Sequence, residues 1–193
     1  MNEKDRWFST VQELRTDSAR KQRMGLHFIG ASVFLWLAIL IIHMSPLPIL
    51  TKNLYTFCCS APLFPLAYLI SKIIGADFQN KENPLTNLGI LFAMNQMLYI
   101  LIAMWVYSSV PDKMVMVYAM IFGAHLLPYG WLYQSKTYYV LSIVIPVGVL
   151  IIGLCYPAVV IAAVMVVTEI VFCVCLVMEN RGRGFAFRVG KAQ

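Results

Sequence analysis

The chain has 193 residues, of which 60% are hydrophobic and only 12% are charged, and its formal net charge is +6. A soluble domain of this length would carry about 25% charged residues, so the composition argues against a soluble globular protein. The charges cluster before Met24, between Ser71 and Glu82, and after Met178. Between the clusters lie apolar stretches of roughly 17 to 23 residues, the length that a helix needs to cross a bilayer core of ~30 Å. The sequence therefore predicts an integral membrane protein.

The apolar stretches predict an all-α transmembrane bundle of about six spans. Only Cys155, Tyr156 and Pro157 separate spans five and six, so this pair could also form one long bent helix or a re-entrant hairpin. Their combined length favours two crossings. The first stretch follows a long polar arm and lacks a small-residue cleavage pattern, so we do not expect a cleaved signal peptide. The predicted spans are about 24–44, 54–74, 86–108, 113–133, 138–154 and 156–178.

The distribution of basic residues predicts the orientation of the bundle. All but two of the 15 lysines and arginines lie in the N-terminal arm, in the connections after spans two and four, or in the C-terminal tail. The two exceptions are Lys52 and Lys113. Because cytoplasmic loops are enriched in Lys and Arg, both termini are expected in the cytoplasm, and the chain is expected to be a multi-pass protein of the cell membrane. An odd number of spans would place the basic arm and the basic tail on opposite sides.

The arm has the pattern of an amphipathic helix. Trp7, Val11 and Leu14 fall on one helical face, and the basic residues around them could contact anionic headgroups. A solvated cytoplasmic extension is the alternative. The positive charge lies where the membrane orientation requires it, so we expect no nucleic-acid partner. The predicted organisation is a basic arm over 1–23, a membrane domain over 24–178 and a basic tail over 179–193.

A few strongly polar side chains lie near the middle of the predicted spans. When residues are counted inward from either membrane face at ~1.5 Å per residue, the depths of these side chains agree within about two helical turns. Such residues are costly in a membrane and by default mark function, so we predict a polar layer that binds a ligand or an ion. Two tyrosines join it, because each lies four positions after a polar residue on the same helix. The candidate site residues are Glu169 of span six, His125 of span four, Asn95 and Gln96 of span three, and the tyrosines Tyr99 and Tyr129.

Glu169 has no basic residue within eight positions on either side. A carboxyl group at this depth must pair or stay protonated, because an unpaired charge there is too costly. His125 is the only other ionisable side chain at that depth apart from tyrosines, which motivates the hypothesis of a Glu169–His125 pair. Under the alternative, a protonated Glu169 and the neutral amides are interhelical hydrogen-bond partners worth ~0.6 kcal/mol each.

Prolines interrupt three of the predicted spans, and the interruption of span four is at Pro128-Tyr129-Gly130. Pro62 and Pro65 lie in span two, and Pro146 with Gly148 lies in span five. If the bundle were two inverted halves, these spans would be equivalent, and matching interruptions indicate a transporter-type binding site. The alternative is that the prolines are ordinary kinks of membrane helices.

No sequence motif indicates catalysis or metal binding. The chain lacks H-E-x-x-H, G-x-S-x-G and a P-loop, and its cysteines lack the spacing of a metal site. We therefore expect no enzymatic activity, no cofactor and no metal.

Two segments have the appearance of sequence motifs. They are residues 75–85, Gly-Ala-Asp-Phe-Gln-Asn-Lys-Glu-Asn-Pro-Leu, and residues 125–133, His-Leu-Leu-Pro-Tyr-Gly-Trp-Leu-Tyr. Together they resemble a family of small bacterial multi-span membrane proteins of unknown function. The resemblance implies the fold and carries no activity. Read physically, Asn83 and Pro84 favour the start of a helix, with Asn as N-cap, although the loop could also recognise a ligand.

Two functional hypotheses remain. The first is a bundle that binds or transports a small molecule or ion through the mid-membrane polar layer, and that forms a homodimer if it transports. The second is a non-transporting membrane protein that acts through a partner, in a regulatory, stress or immunity role. Short loops favour the first, since they offer a partner little surface. The small number of polar residues in the spans favours the second. In both, the lipid bilayer is the surrounding partner.

Overall fold

The computed structural model describes residues 2–185 and is all-α over that range. Residues 186–193, the end of the predicted basic tail, lie outside the described residues. Short 3₁₀ turns occur at Arg23–Gly25 and Pro111–Lys113. The helices are α1 Glu3–Lys21, α2 Leu26–Met44, α3 Ile49–Cys58, α4 Leu63–Ile74, α5 Leu85–Ser109, α6 Met114–Ala124, α7 Leu127–Leu132, α8 Lys136–Cys155 and α9 Ala158–Gly182.

The helices confirm the predicted multi-span architecture. Within the described residues, five helical stretches are long and apolar enough to cross a membrane, and the bent pair α3–α4 brings the number to six. The centre of the bundle is the packing of α2 against α9, where Trp36, Ile39, Phe172 and Leu176 are completely buried. The pair α6–α8 packs beside it. In contrast, α5 lies on the outside and packs mainly on α6 and α7.

The second predicted span is two helices rather than one. α3 and α4 meet at an angle of 45° across a four-residue turn that contains Pro62. Near the beginning of α3, the side-chain amide of Asn53 donates to the carbonyl of Pro111 at 2.8 Å. Just after α4, the backbone amide of Asp77 donates to the carbonyl of Lys21 at 2.9 Å. The pair therefore joins the two ends of the bundle and is a broken span, not a re-entrant loop.

Spans five and six are separate crossings, as their combined length predicts. At the beginning of α8, Ser135 and Thr137 donate to the Glu179 carboxylate of α9 at 2.7 and 2.8 Å. At the other end of α8, Lys113 donates to the carbonyl of Gly153 at 2.6 Å. The two helices thus run antiparallel along the full height of the bundle.

The expected interruption of span five is wrong. α8 continues through Pro146, whereas the break in span four falls at His125 and Leu126, between α6 and α7. Pro128 explains that break, because it has no N–H to donate to Ala124 and its ring would clash with that carbonyl. The broken spans are consequently two and four, which removes the match between spans two and five that an inverted repeat would require.

α1 joins α2 through a left-handed turn. Arg23, Met24 and Gly25 have φ of 52°, 51° and 70°, a conformation that costs a residue other than glycine roughly 1–2 kcal/mol. Two hydrogen bonds hold the turn. Tyr138 donates to the Met24 carbonyl at 2.9 Å, and Asn180 donates to the Arg23 carbonyl at 3.3 Å. In addition, a Cβ at position 25 would lie 2.9 Å from the Tyr138 hydroxyl oxygen. Helices α8 and α9 therefore determine how the arm leaves the bundle.

The predicted arm is a helix, α1, that lies across the ends of α5 and α7. We call this end of the bundle the arm side. Arg15 donates to the Trp131 carbonyl at 2.8 Å, and its guanidinium lies 4.4 Å from the centre of the Trp131 ring. The Asp17 carboxylate accepts from Asn80 at 3.0 Å and from Asn83 at 2.9 Å. Trp7 is 63% exposed, and the prediction that it lies among headgroups stays a prediction.

Asn83 forms hydrogen bonds both to the start of α5 and to the arm. Its side-chain oxygen accepts from the Leu85 amide at 3.0 Å, although α5 begins at Leu85 with Pro84, not Asn83, at the N-cap position. Its side-chain NH2 donates to the Leu14 carbonyl and to Asp17. The 75–85 segment is thus a docking surface for α1.

Acidification should release α1 from this surface. Burial by itself would raise the pKa of Asp17, but hydrogen bonds from Asn80 and Asn83 and the nearby Lys21 ammonium together hold that pKa below its ordinary value of 3.8. The ionised carboxylate therefore stabilises docking at neutral pH, and this stabilisation is lost as the pH falls below about 4 through the lowered pKa. Hydrogen exchange of residues 3–21 should accelerate there.

Asp17→Asn should produce a similar loosening at pH 7. We expect a cost of about 1 kcal/mol, since the carboxylate is partly exposed and its hydrogen bonds are charge-assisted. Glu13→Gln is the control, because Glu13 is an exposed carboxylate on the same helix. Equal exchange rates in the two variants would contradict the docking role of Asp17.

Candidate functional site

A cavity of about 380 Å³ lies between α2, α4, α5 and the α6–α7 break. Most of its wall is apolar, including Phe28, Ile29, Phe64, Ile90 and Met97. Helix periodicity explains how α5 forms one wall, since its lining residues recur every three or four positions between Thr86 and Met97. At ~1.5 Å per residue this wall is roughly 16 Å tall, so the cavity extends from the arm side to about the middle of the span.

Polar side chains interrupt the apolar wall. Among the lining residues are His27 and Ser32 of α2, Gln96 of α5, and His125 and Tyr129 at the α6–α7 break. Gln96, His125 and Tyr129 are sequence-predicted site residues, and the structure brings them to one cavity. The prediction missed His27 and Ser32. A single serine in an apolar span carries little signal, because such a hydroxyl usually bonds to its own helix.

Glu169 lies directly behind Ser32. Its side chain is completely buried between α9 and α2, and its Oε2 lies 2.5 Å from the Ser32 hydroxyl oxygen. The same hydroxyl lies 2.8 Å from the Ile29 carbonyl oxygen, which can only accept. Since serine has one hydrogen, both contacts are hydrogen bonds only if Ser32 donates to Ile29 and a protonated Glu169 donates to Ser32. The geometry fits a neutral carboxylic acid at Glu169. The Ser32 hydroxyl lies between this acid and the cavity.

The direct Glu169–His125 pair is not formed. No hydrogen bond or ion pair joins the two side chains in the part of the chain that the structure describes. His125 instead directs Nδ1 at the Phe122 carbonyl at 2.5 Å, so Nδ1 is the donor, because a carbonyl oxygen can only accept. The carbonyl is available because the helix ends here, ahead of Pro128. The hydrogen-bond partner of Glu169 is Ser32 of α2, a helix that lies far from α9 in the sequence.

Tyr129 attaches α5 to the rest of the bundle. Its hydroxyl donates to the Gly89 carbonyl at 2.9 Å, and its ring stacks on Tyr133 at a centroid distance of 6.0 Å. Tyr133 in turn contacts Tyr138, whose hydroxyl holds the left-handed turn before α2. This row of tyrosines connects the cavity wall to the arm, and the aromatic-belt interpretation of membrane tyrosines does not reveal it.

Two predicted site residues lie away from the cavity. Asn95 and Tyr99 are exposed on the outer face of α5, where the Asn95 side chain donates to the Tyr99 hydroxyl at 2.9 Å. Gln96, the next residue, faces the cavity because successive helical residues are rotated by ~100°. The single polar layer that equal depth predicts is therefore divided between the inside and the outside of the bundle.

Comparison with known proteins identifies the family of the chain. A model of a family of unknown function, DUF7010, matches residues 11–179. The chain belongs to the DUF7010 family. The match contains every helix of the bundle, most of the arm, Glu169 and all the cavity-lining residues named above. Membership of DUF7010 confirms the predicted resemblance to a family of unknown function, and the bacterial membrane character of that family stays a prediction. Searches of the curated proteins and of the solved structures each returned no match.

Proposed function

We propose that this protein binds an apolar or amphipathic small molecule in the cavity between α2, α4, α5 and the α6–α7 break. The observation that supports this proposal is the cavity itself: about 380 Å³, largely apolar, with a few polar side chains among its lining residues. Small-molecule sites have this composition, in which apolar walls supply affinity and a few polar atoms orient the ligand.

The composition of the wall favours an organic molecule over an ion. Among the described residues that line the cavity, none is an Asp, Glu, Lys or Arg, and Glu169 lies behind Ser32. A metal cation bound by oxygen ligands would need several carboxylate or carbonyl oxygens at one point. The polar side chains that the cavity offers include the Gln96 amide, the His27 and His125 rings and the Ser32 hydroxyl, which suit a hydroxyl, amide or amine head on an apolar body.

We extend the proposal to transport of such a molecule across the membrane. The α3–α4 and α6–α7 breaks both contribute cavity residues, among them Leu63 and His125. Discontinuous helices at a mid-membrane site are a feature of transporters. Opening the cavity to the second side of the membrane would require movement at these breaks, which lie where backbone hydrogen bonds of the helix are already missing.

Photolabelling tests the binding proposal. The purified protein in lipid nanodiscs would be irradiated with a dodecyl alcohol that carries a diazirine, and the adducts would be located by mass spectrometry. We expect adducts on the peptide that contains Phe122 and His125. Ala93→Trp places an indole inside the cavity and should lower these adducts by about tenfold, which corresponds to ~1.4 kcal/mol of binding.

Leu101→Trp is the matched control, since Leu101 is on the same helix but 60% exposed and outside the cavity lining. It should leave the Phe122–His125 adducts unchanged. Adducts confined to the lipid-facing surface, or insensitive to Ala93→Trp, would contradict the proposed site. That result would favour the alternative of a membrane protein that acts through a partner.

A further inference from the structure

Most positions of α5 are exposed, and on its outer face five of them follow one another at regular spacing. Leu91, Leu98, Ile102 and Trp105 are each between 52% and 66% exposed, and Asn95 is exposed among them. Their spacing alternates between four and three positions. This is the a/d spacing of a heptad, the pattern that lets two helices pack with a left-handed crossing. We call these five residues the α5 seam.

Asn95 is the unusual member of the α5 seam. It lies near the middle of a span that runs from Leu85 to Ser109, at a depth where a polar group facing lipid is costly. One hydrogen of its side-chain NH2 is used by the Tyr99 hydroxyl at 2.9 Å. Its other hydrogen and its Oδ1 have no hydrogen-bond partner among residues 2–185. An additional donor and acceptor must cover this amide to remove the cost.

We propose that the α5 seam is the interface with a second copy of this chain, in which the two Asn95 side chains hydrogen-bond to each other. All copies of a membrane protein have the same orientation, so the two α5 helices of a twofold dimer run parallel. In a parallel pair each a position faces its own equivalent, and Asn95 occupies an a position. An amide is both donor and acceptor and is therefore complementary to itself, while Tyr99 holds it in place.

The arrangement of α5 leaves its two faces independent. Ala93, Gln96 and Met97 line the cavity, and the α5 seam lies on roughly the opposite side of the helix. Met94, which also lines the cavity, lies at the edge of the seam. A dimer through the seam would therefore leave the cavity unoccupied by the second copy. The proposal does not rest on the proposed small-molecule binding, and either can fail without the other.

Disulfide crosslinking in membranes tests the interface. In a background without the five native cysteines, Leu98→Cys and Ile102→Cys would each be oxidised with copper phenanthroline. Both should form crosslinked dimers, since facing positions of a parallel helix pair lie within disulfide range. Met104→Cys is the control, because Met104 is 55% exposed and lies on the other side of α5. Crosslinking of the seam positions at no more than the Met104→Cys level would overturn the proposal.

A second measurement isolates the amide. Asn95→Ala should weaken dimerisation roughly 3- to 30-fold, as measured by energy transfer between differently labelled copies in lipid bilayers. Met104→Ala should leave the dissociation constant unchanged. Asn95 contacts only the exposed Tyr99, so its replacement leaves the monomer core intact. A dissociation constant that is the same in Asn95→Ala and in the unmodified chain would refute the role of the amide.

Discussion

Glu169→Ala should destabilise the protein by about 2–4 kcal/mol, measured as a shift of the SDS-induced unfolding transition in mixed micelles. The side chain is completely buried at the contact of α2 and α9, the central pair of the bundle. Truncation would remove its packing and leave a cavity, which is the usual origin of losses of this size. The hydrogen bond to Ser32 would be lost as well.

Two further substitutions separate the roles of Glu169. Glu169→Gln keeps the shape and the bond to Ser32, so a neutral acid predicts stability within about 1 kcal/mol of the unmodified protein. If the native side chain were instead a buried, unpaired carboxylate, Glu169→Gln would be clearly stabilising. Glu169→Leu keeps the volume. Retained stability with lost photolabelling would assign Glu169 to the binding site, whereas lost stability would make it an interhelical hydrogen-bond partner.

Control measurements use Ser32. Ser32→Ala removes the same hydrogen bond and leaves Glu169 without a partner in the described part of the chain. We expect a loss of about 1–3 kcal/mol, the cost of an unsatisfied buried polar group. Unchanged stability in both Ser32→Ala and Glu169→Ala would contradict the structure of the α2–α9 contact.

Gly123→Val should destabilise the protein by about 3 kcal/mol. Helices α6 and α8 are in close contact here, and a Cβ on residue 123 would lie 2.6 Å from Ile145 Cγ2 and 2.8 Å from both Ile145 Cβ and Pro146 Cδ. These atoms belong to a β-branched residue and a proline ring, which cannot move aside as the end of a flexible side chain can. Separating the helices is the remaining response, and overpacking of this kind costs several kcal/mol.

Gly148→Val provides the matched control. Gly148 lies on α8, close to the same contact, but a Cβ there would meet no atom within 4 Å. We expect a change within about 0.5 kcal/mol, as for other substitutions away from packed contacts. Equal effects of the two substitutions in SDS unfolding would show that α6 and α8 are not in close contact at Gly123.

The two faces of α5 carry two different candidate sites in this member of the DUF7010 family. Its inner face forms a cavity wall and is attached to α7 by the Tyr129–Gly89 hydrogen bond. Its outer face carries Asn95, which the core of the bundle does not use. A single helix thus connects a candidate ligand site with a candidate dimer interface. The two sets of experiments address them separately.

Local properties of the sequence determined the course of the chain through the membrane. The helices α2, α5, α8 and α9 lie within a few residues of the predicted spans 24–44, 86–108, 138–154 and 156–178. Length and apolarity were sufficient because each backbone polar group in a bilayer core must be satisfied within its own helix. Proline chemistry similarly predicted the breaks near Pro62 and Pro128, since a missing N–H acts on its own helix.

Tertiary structure alone decided which polar residues share a site. Asn95 and Gln96 lie near the middle of α5, as the sequence predicts, but their directions were not predicted, because the rotation of a helix depends on which face its neighbours cover. The same reason made Ser32, rather than His125, the partner of Glu169. A hydrogen bond between residues 137 positions apart depends on how α2 packs against α9, and no single span contains that information.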